Sequence, residues 1–212
     1  MFDYGIIATE VVFSYRKGVN VRDAVLPHSK NKFFFQTDIS NFFSSITKPL
    51  VRNSIRNGLG SVPISDVHEY LDVILNLVSY KNGLPLGFPT SPAISNMCLL
   101  NFDKELLIQS NKLDVSYTRY ADDMTFSFNE DKIDMKHVRK LIEIIEKENF
   151  KINSKKFRYF YNSDRQVVTG LVVNEKVDVK REFYKTLRAI LHNREKNGFR
   201  KLKKGRNWKL SH

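Results

Sequence analysis

Residues 115–128 hold two runs rich in β-branched and aromatic residues, Val115 to Tyr120 and Met124 to Phe128, separated only by Ala121-Asp122-Asp123. Runs this close together pair as an antiparallel hairpin, and the turn then carries two adjacent carboxylates. Adjacent carboxylates repel each other, and the arrangement becomes favourable where a cation neutralises it. Hard divalent ions, which take oxygen ligands, suit such a turn. Taken alone, the pair is more simply a solvated turn, because Asp is a common turn residue.

A third carboxylate raises the metal reading. Lys32 to Thr37, with Phe33, Phe34 and Phe35, has the length and aromatic content of a buried strand, and Asp38 ends it ahead of Phe42 and Phe43. If the strand ends are neighbours, Asp38 and Asp122 together hold two Mg²⁺ ions about 4 Å apart, an arrangement that activates a 3′-hydroxyl and stabilises a leaving pyrophosphate. The alternative for Asp38 is a helix N-cap, with Ser40 and Asn41 competing for the same task.

The rest of the chain alternates between the two periods. Pro63 and Ser65 precede Val67, Leu71, Ile74, Leu75 and Val78, spaced as an amphipathic helix. Ser91-Pro92 opens a helix that runs to about Gln109. Ile133 to Glu148 carries Val138, Leu141, Ile142 and Ile145 on one stripe, and Val167 to Val173 is a strand interrupted by Gly170. Arg181 to Arg194 is a further helix, with Phe183, Tyr184, Leu187 and Leu191 on one side. Helices mixed with strands around a central hairpin predict an α+β fold with an antiparallel sheet, not a doubly wound one.

Composition narrows the function classes. With 212 residues, 42% apolar and 12% aromatic, the chain can bury a sizeable core. The single cysteine, Cys98, excludes an internal disulfide and a cysteine-rich zinc site, which points to a reducing, cytoplasmic setting. Met-Phe-Asp-Tyr-Gly places an acid where a signal peptide needs base, and no run reaches the roughly 18 apolar residues of a membrane span, so no membrane partner is expected. The net charge of +12 is concentrated: from Lys180 to His212 there are twelve basic and two acidic residues. Such a block is either a polyanion contact or a solvated basic face.

Four segments, in order, resemble successive motifs of reverse transcriptases, and most closely those of the bacterial retron type. They are Phe35-Gln-Thr-Asp38-Ile-Ser-Asn-Phe42-Phe43, Leu84-Pro-Leu-Gly87-Phe-Pro-Thr-Ser91-Pro92-Ala-Ile-Ser-Asn96, Tyr117-Thr-Arg-Tyr120-Ala-Asp122-Asp123 and Val168-Thr-Gly170-Leu. The resemblance covers roughly residues 12–195, and four ordered motifs are far more specific than any one of them. It implies a right-hand polymerase palm that copies RNA into DNA with two Mg²⁺ ions, Mn²⁺ being a possible substitute.

The resemblance also implies roles. Asp38, Asp122 and Asp123 form the catalytic carboxylates and hold the metals, with the carbonyl of Ile39 as a further ligand. Lys156, in Asn153-Ser-Lys155-Lys156, matches the lysine that protonates pyrophosphate; a solvated lysine pair is the alternative. Phe43 falls at the steric gate against a ribose 2′-hydroxyl, with core packing as the alternative. Leu86 and Gly87 line the incoming nucleotide, and Tyr120 lies under the primer terminus. Ser91, Pro92 and Asn96 line the template side. Thr169 and Gly170 belong to a primer-grip strand, for which a β-bulge is the alternative. Lys180, Arg181, Lys185 and Arg188 open a basic thumb that grips nucleic acid. The implied partners are an RNA template and primer, a cognate structured non-coding RNA, deoxynucleoside triphosphates and an effector protein, in a system that makes branched RNA-linked DNA in defence against phage.

Two positions depart from the family pattern. Leu86 stands where Gln is usual, which removes a polar contact to the nucleotide. Ala24-Val-Leu-Pro-His28 keeps the histidine of a retron motif without its Asn-Ala, and a lone histidine beside proline is most often a surface or capping residue. The chain divides into an approach segment of residual fingers (1–31), a palm (32–176) and a basic start of a thumb (177–212). Family members carry some ninety residues before this point and a longer thumb after it, so a fragment of a longer polymerase is the leading expectation. A compact variant that borrows fingers from a partner and a degenerate palm kept as a binding module are the alternatives to a fragment; a group II intron or abortive-infection type, or a catalytically silent RNA-binding palm, are the alternatives to a retron polymerase.

Overall fold

The computed structural model describes residues 8–59, 66–130, 135–161, 164–174 and 177–197. At its centre is an antiparallel sheet in the order β2-β3-β1-β4, built from β1 (Phe33–Asp38), β2 (Ser116–Tyr120), β3 (Asp123–Phe128) and β4 (Arg158–Tyr161). The expected hairpin is β2–β3, and β1 lies against β3 with Asp38 opposite Asp123.

Because side chains alternate along a strand, this register gives the sheet two unlike faces. Phe33, Phe35, Thr37, Met124, Phe126, Phe128 and Tyr117 share one face. Across it the rings of Phe35, Phe126 and Tyr117 stack in a ladder, with centroids 4.7 and 4.8 Å apart. Fully burying each Phe contributes about 2–3 kcal/mol. Asp38, Gln36, Asp123, Thr125, Ser127, Thr118 and Ser116 share the opposite face. A slip of one residue would carry both carboxylates into the apolar face, so the aromatic ladder fixes where the acids emerge.

Helices cover the apolar face. They are the short α2 (Phe42–Ser45), α3 (Lys48–Leu59), α4 (Leu71–Val78), α5 (Ser91–Cys98), α6 (Leu100–Lys112) and α7 (Met135–Lys147), whereas α1 (Val21–Val25) packs Val25 against Phe34 on the other face. Val51, Ile55, Leu75, Leu99, Phe102, Leu106, Val138, Leu141 and Ile145 join the strand residues in one core. α4 is shorter than the pattern predicted: Val67–Tyr70 is a 3₁₀ turn, and Pro63 and Ser65 lie outside the described residues. The single helix expected from Ser91 bends at the buried Leu99, which lets Ser95, Asn96 and Cys98 of one half and Phe102 and Leu106 of the other all face inward. The start of α7 expected at Ile133 also lies outside the described residues.

Two smaller units cover half of the polar face. The strand expected over 167–173 is instead a hairpin, β5 (Val167–Val168) and β6 (Leu171–Val172), with β7 (Asp178–Val179) added to β6. Thr169 (φ +46°) and Gly170 (φ +86°) form its two-residue turn, the pattern of a type I′ hairpin and not of a bulge. Val168 and Val173 pack with Val25 and Phe34 in a second core. His28 corrects the expectation of a surface or capping residue: it is fully buried, and its ring nitrogens lie 2.7 Å from both Thr118 Oγ1 and Ser127 Oγ. Burial pushes its pKa down to about 3, so the ring is neutral at pH 7. The lower half of the polar face is thereby sealed, and Gln36, Thr125, Asp38 and Asp123 line an open cleft above it. α8 (Arg181–Asn197) leaves Phe183, Tyr184, Leu187 and Leu191 exposed, so the apolar side expected for it is uncovered. Among the described residues no helix is long and apolar enough to cross a membrane.

Candidate active site

The turn of the Asp-Asp hairpin is built first. Tyr120 pairs with Asp123, which leaves Ala121 and Asp122 as a two-residue loop. Ala121 has φ +57° at the position where such a turn usually takes Gly, and this left-handed backbone costs an alanine about 1–2 kcal/mol. Its peptide groups are gripped from both sides. The Ala121 N–H donates to Ser14 Oγ at 2.7 Å, and its carbonyl accepts from Arg119 Nη1 at 2.8 Å. Arg119 is fully buried and paired bidentately with Asp103, through Nε–Oδ1 at 2.8 Å and Nη2–Oδ2 at 2.6 Å. The Tyr117 hydroxyl donates to the same carboxylate at 3.0 Å.

Asp38 is brought to the turn by the sheet. The Ile39 N–H donates to the Asp122 carbonyl at 3.2 Å, locking the end of β1 to the hairpin. Asp38 is 3% exposed; its Oδ2 accepts from Lys156 Nζ at 2.5 Å, and its Oδ1 is buried without a partner. Lys156 arrives by a local hook. The Asn153 N–H donates to the Asp38 carbonyl at 3.0 Å, and the Asn153 side chain caps the 3₁₀ turn Ser154–Lys156 by accepting from Lys155 N–H. The hydrogen bond to Asp38 raises the Lys156 pKa, and the charges of Asp38, Asp122 and Asp123 add to it. The Asp123 pKa is pushed up to about 6 by burial and by the charge of Asp122, with Asp38 adding and Lys156 and Arg158 opposing.

These groups open onto a cleft of about 260 Å³ lined by Gln36, Asp38, Asp123, Thr125, Lys156, Arg158, Thr169, Gly170 and Lys180. Cations thus face carboxylates across a polar floor. Sequence reasoning misses Arg158; its signal is its place opposite Gln36 at the start of β4, two residues after Lys156. Tyr15 escapes it as well. It has φ +57°, and the charge of Asp122 adds to burial in raising its phenol pKa.

The other expected residues separate into three groups. Phe43 is tied to the loop of Leu86 and Gly87, because the Leu84 N–H donates to the Phe43 carbonyl at 3.2 Å, but none of the three lines the cleft; Leu86 is 84% exposed and Gly87 turns with φ +88°. Ser91 and Asn96 do not reach a template: both are buried, Ser91 Oγ donating to the Pro85 carbonyl and Asn96 bridging Ser14 and Arg119. Pro92, in the first turn of α5, is partly exposed, as is Tyr120 at the end of β2. Arg181, Lys185 and Arg188 are exposed along α8, outside the cleft that Lys180 lines.

The donor set fits a hard divalent cation by its chemistry. It consists of carboxylate and carbonyl oxygens, one buried carboxylate oxygen is unpartnered, and burial and the charge of Asp122 push the Asp123 pKa up. Among the described residues no three His, Cys, Asp or Glu side chains are already arranged around one point, and the Lys156 ammonium occupies Oδ2 of Asp38.

A sheet with paired acids at two strand ends is the architecture of a polymerase palm, and the chain belongs to the reverse transcriptase (RNA-dependent DNA polymerase) family, whose model matches residues 6–195. Among particular relatives, it is 30% identical to the retron Mx162 reverse transcriptase of Myxococcus xanthus, over 84% of this chain and 43% of that one. It is 32% identical to the retron Ec86 reverse transcriptase of Escherichia coli, over 84% and 54%. The chain therefore spans about half the length of these relatives. Telomerase from Candida tropicalis, truncated from its C-terminal domain, shares the fold with a TM-score of 0.55 at 12% identity, over 70% of this chain and 35% of that one. Telomerase from Candida albicans, in complex with a fragment of telomeric RNA, does so with a TM-score of 0.55 at 12% identity, over 76% and 32%. Reverse transcriptases use divalent metal ions as a family.

Proposed function

We propose that the chain carries out RNA-templated DNA synthesis of the retron type, and that nucleotides are joined in the cleft between β1, β3 and β4. The observation that carries this reading is Asp38 opposite Asp123, with one buried carboxylate oxygen unpaired and Lys156 on the other. Two Mg²⁺ ions, or Mn²⁺ in their place, held by Asp38, Asp122, Asp123 and the Ile39 carbonyl, supply activation of a primer 3′-hydroxyl and charge balance for the departing pyrophosphate.

The chain's own residues do the rest. The hydrogen bond to Asp38, with the charges of Asp122 and Asp123 adding, helps Lys156 keep its proton, and Nζ would give a proton to the leaving pyrophosphate. Arg158 and Lys180, on the same cleft, attract the triphosphate and the primer backbone. Phe43, tied to the loop of Leu86 and Gly87, fills the space of a ribose 2′-hydroxyl and favours deoxynucleotides. Pro92 and Tyr120 flank the template and primer sides. Thr169 and Gly170 present a turn to the primer, and Arg181, Lys185 and Arg188 extend the basic surface beyond it. The same reading takes a cognate structured RNA as template, with an effector protein and phage defence as its setting.

Primer extension on an RNA template with deoxynucleotides and Mg²⁺ tests the reading, with the unaltered chain run beside Asp122→Asn/Asp123→Asn. Extension confined to the unaltered chain is expected. Equal extension by both, or none by either, would overturn it.

A further inference from the structure

Ser14 stands more than a hundred residues from the hairpin in sequence, yet its fully buried hydroxyl accepts the Ala121 N–H at 2.7 Å. The next peptide unit, on the other side of the Ala121 Cα, is held through the Ala121 carbonyl by Arg119. Asn96 joins the two grips, donating from Nδ2 to the Ser14 carbonyl at 2.9 Å and accepting from Arg119 Nη2 at 3.3 Å. Around them the backbone is tied as well: the Arg119 N–H donates to the Val11 carbonyl at 2.9 Å, and the Phe13 N–H to the Arg119 carbonyl at 3.0 Å.

Every polar group in this set ends on residue 121 or on a partner that holds it. Residue 121 is also where an L side chain sits in a left-handed backbone inside a turn that favours Gly. Such a conformation persists only when its surroundings over-determine it, and here they do so through two hydrogen bonds on one residue. The next residue along the chain is Asp122, and the carbonyl that Arg119 holds lies in the peptide that joins the two.

We infer that Ser14, backed by Asn96 and Arg119, is a positioning residue that aims the Asp122 carboxylate by clamping Ala121 in its left-handed conformation. The inference rests on the metal-binding reading of Asp122. It assigns the segment before the first helix, which carries none of the carboxylates, a direct part in building the metal site. It also accounts for the burial of Asn96, a residue expected from the sequence on the template side.

The test measures Mn²⁺ affinity by the loss of the free-ion electron paramagnetic resonance signal, beside melting curves without metal. Ser14→Ala is expected to weaken Mn²⁺ binding about tenfold, the size that one lost buried hydrogen bond conveys. Ala121→Gly, which removes the backbone strain, is expected to restore most of that affinity when combined with Ser14→Ala. A hydroxyl serving only to pack or to stabilise the fold would not be rescued by a change at 121. If Ser14→Ala does not fold, Asn96→Ala releases the same clamp and carries the same expectation with the same rescue. Undiminished affinity in Ser14→Ala, or a deficit that Ala121→Gly leaves unchanged, would overturn the clamp alone. If the unaltered chain shows no Mn²⁺ binding that Asp122→Asn abolishes, the metal reading fails and the clamp with it.

Discussion

His28 illustrates how a single side chain can be conspicuous in a sequence for the wrong reason. Its two partners, Ser127 and Thr118, lie 99 and 90 residues away, so nothing local announces that it is a buried bridge across a hairpin. Its folded pKa of about 3 lies below the ordinary 6.5, so between those values the unfolded chain binds a proton that the folded chain does not. The stability it contributes is complete above about pH 6.5 and is lost as pH falls toward 3. In melting curves at pH 7 and pH 5, the unaltered chain should lose more than His28→Gln does, while His28→Gln should be about 1–3 kcal/mol less stable at pH 7 from unpaired hydroxyls. A matching loss in both would contradict this account. Leu86 makes a second residue-scale case: it projects into solvent from the loop that Leu84 ties to Phe43, and Leu86→Gln should lower the KM for deoxynucleotides by adding a polar contact. An unchanged KM would remove Leu86 from the nucleotide site.

At the scale of elements, strands that obey the period of two are legible in the sequence, and features that depend on remote partners are not. β1, β2 and β3 are visible because their apolar and aromatic runs are short and bounded by Asp38 and by Asp122-Asp123, and pairing alone then puts Asp38 opposite Asp123. The hairpin at Thr169–Gly170 reads as one strand because a two-residue turn leaves too little polar sequence to mark it. The bend at Leu99 is hidden because both halves keep a helical pattern. Ser14, Arg119 and Asp103 escape notice because a buried ion pair has no periodicity. Gly83 shows how tightly the elements near the gate approach: a Cβ there would stand 3.0 Å from the Ser44 carbonyl oxygen and 3.2 Å from its Cα. Gly83→Ala should therefore destabilise the chain by about 1–3 kcal/mol, read from denaturant unfolding, because backbone must shift to admit the methyl. A neutral effect would mean that the loop carrying Leu84 to Gly87 is not braced against α2.

Across the whole molecule, one sheet separates two chemistries: an aromatic face that supplies stability and a polar face that supplies the site. The basic residues of α8 continue from Lys180, which lines the cleft on the second of these faces, and six more follow in sequence after Asn197. Removing the residues after Arg194 should weaken RNA binding and flatten its dependence on salt, because fewer counterions are released. An unchanged slope in filter binding across a salt series would assign that charge to solubility.

The central claim is that Asp38, Asp122 and Asp123 form a cation site at the head of this sheet. Melting curves with and without Mg²⁺ test it most directly, because they call only on residues placed within the fold. A ligand that binds the folded chain alone raises its melting temperature. The account predicts a rise with Mg²⁺ that Asp122→Asn abolishes; superimposable curves with and without the metal in the unaltered chain would contradict it.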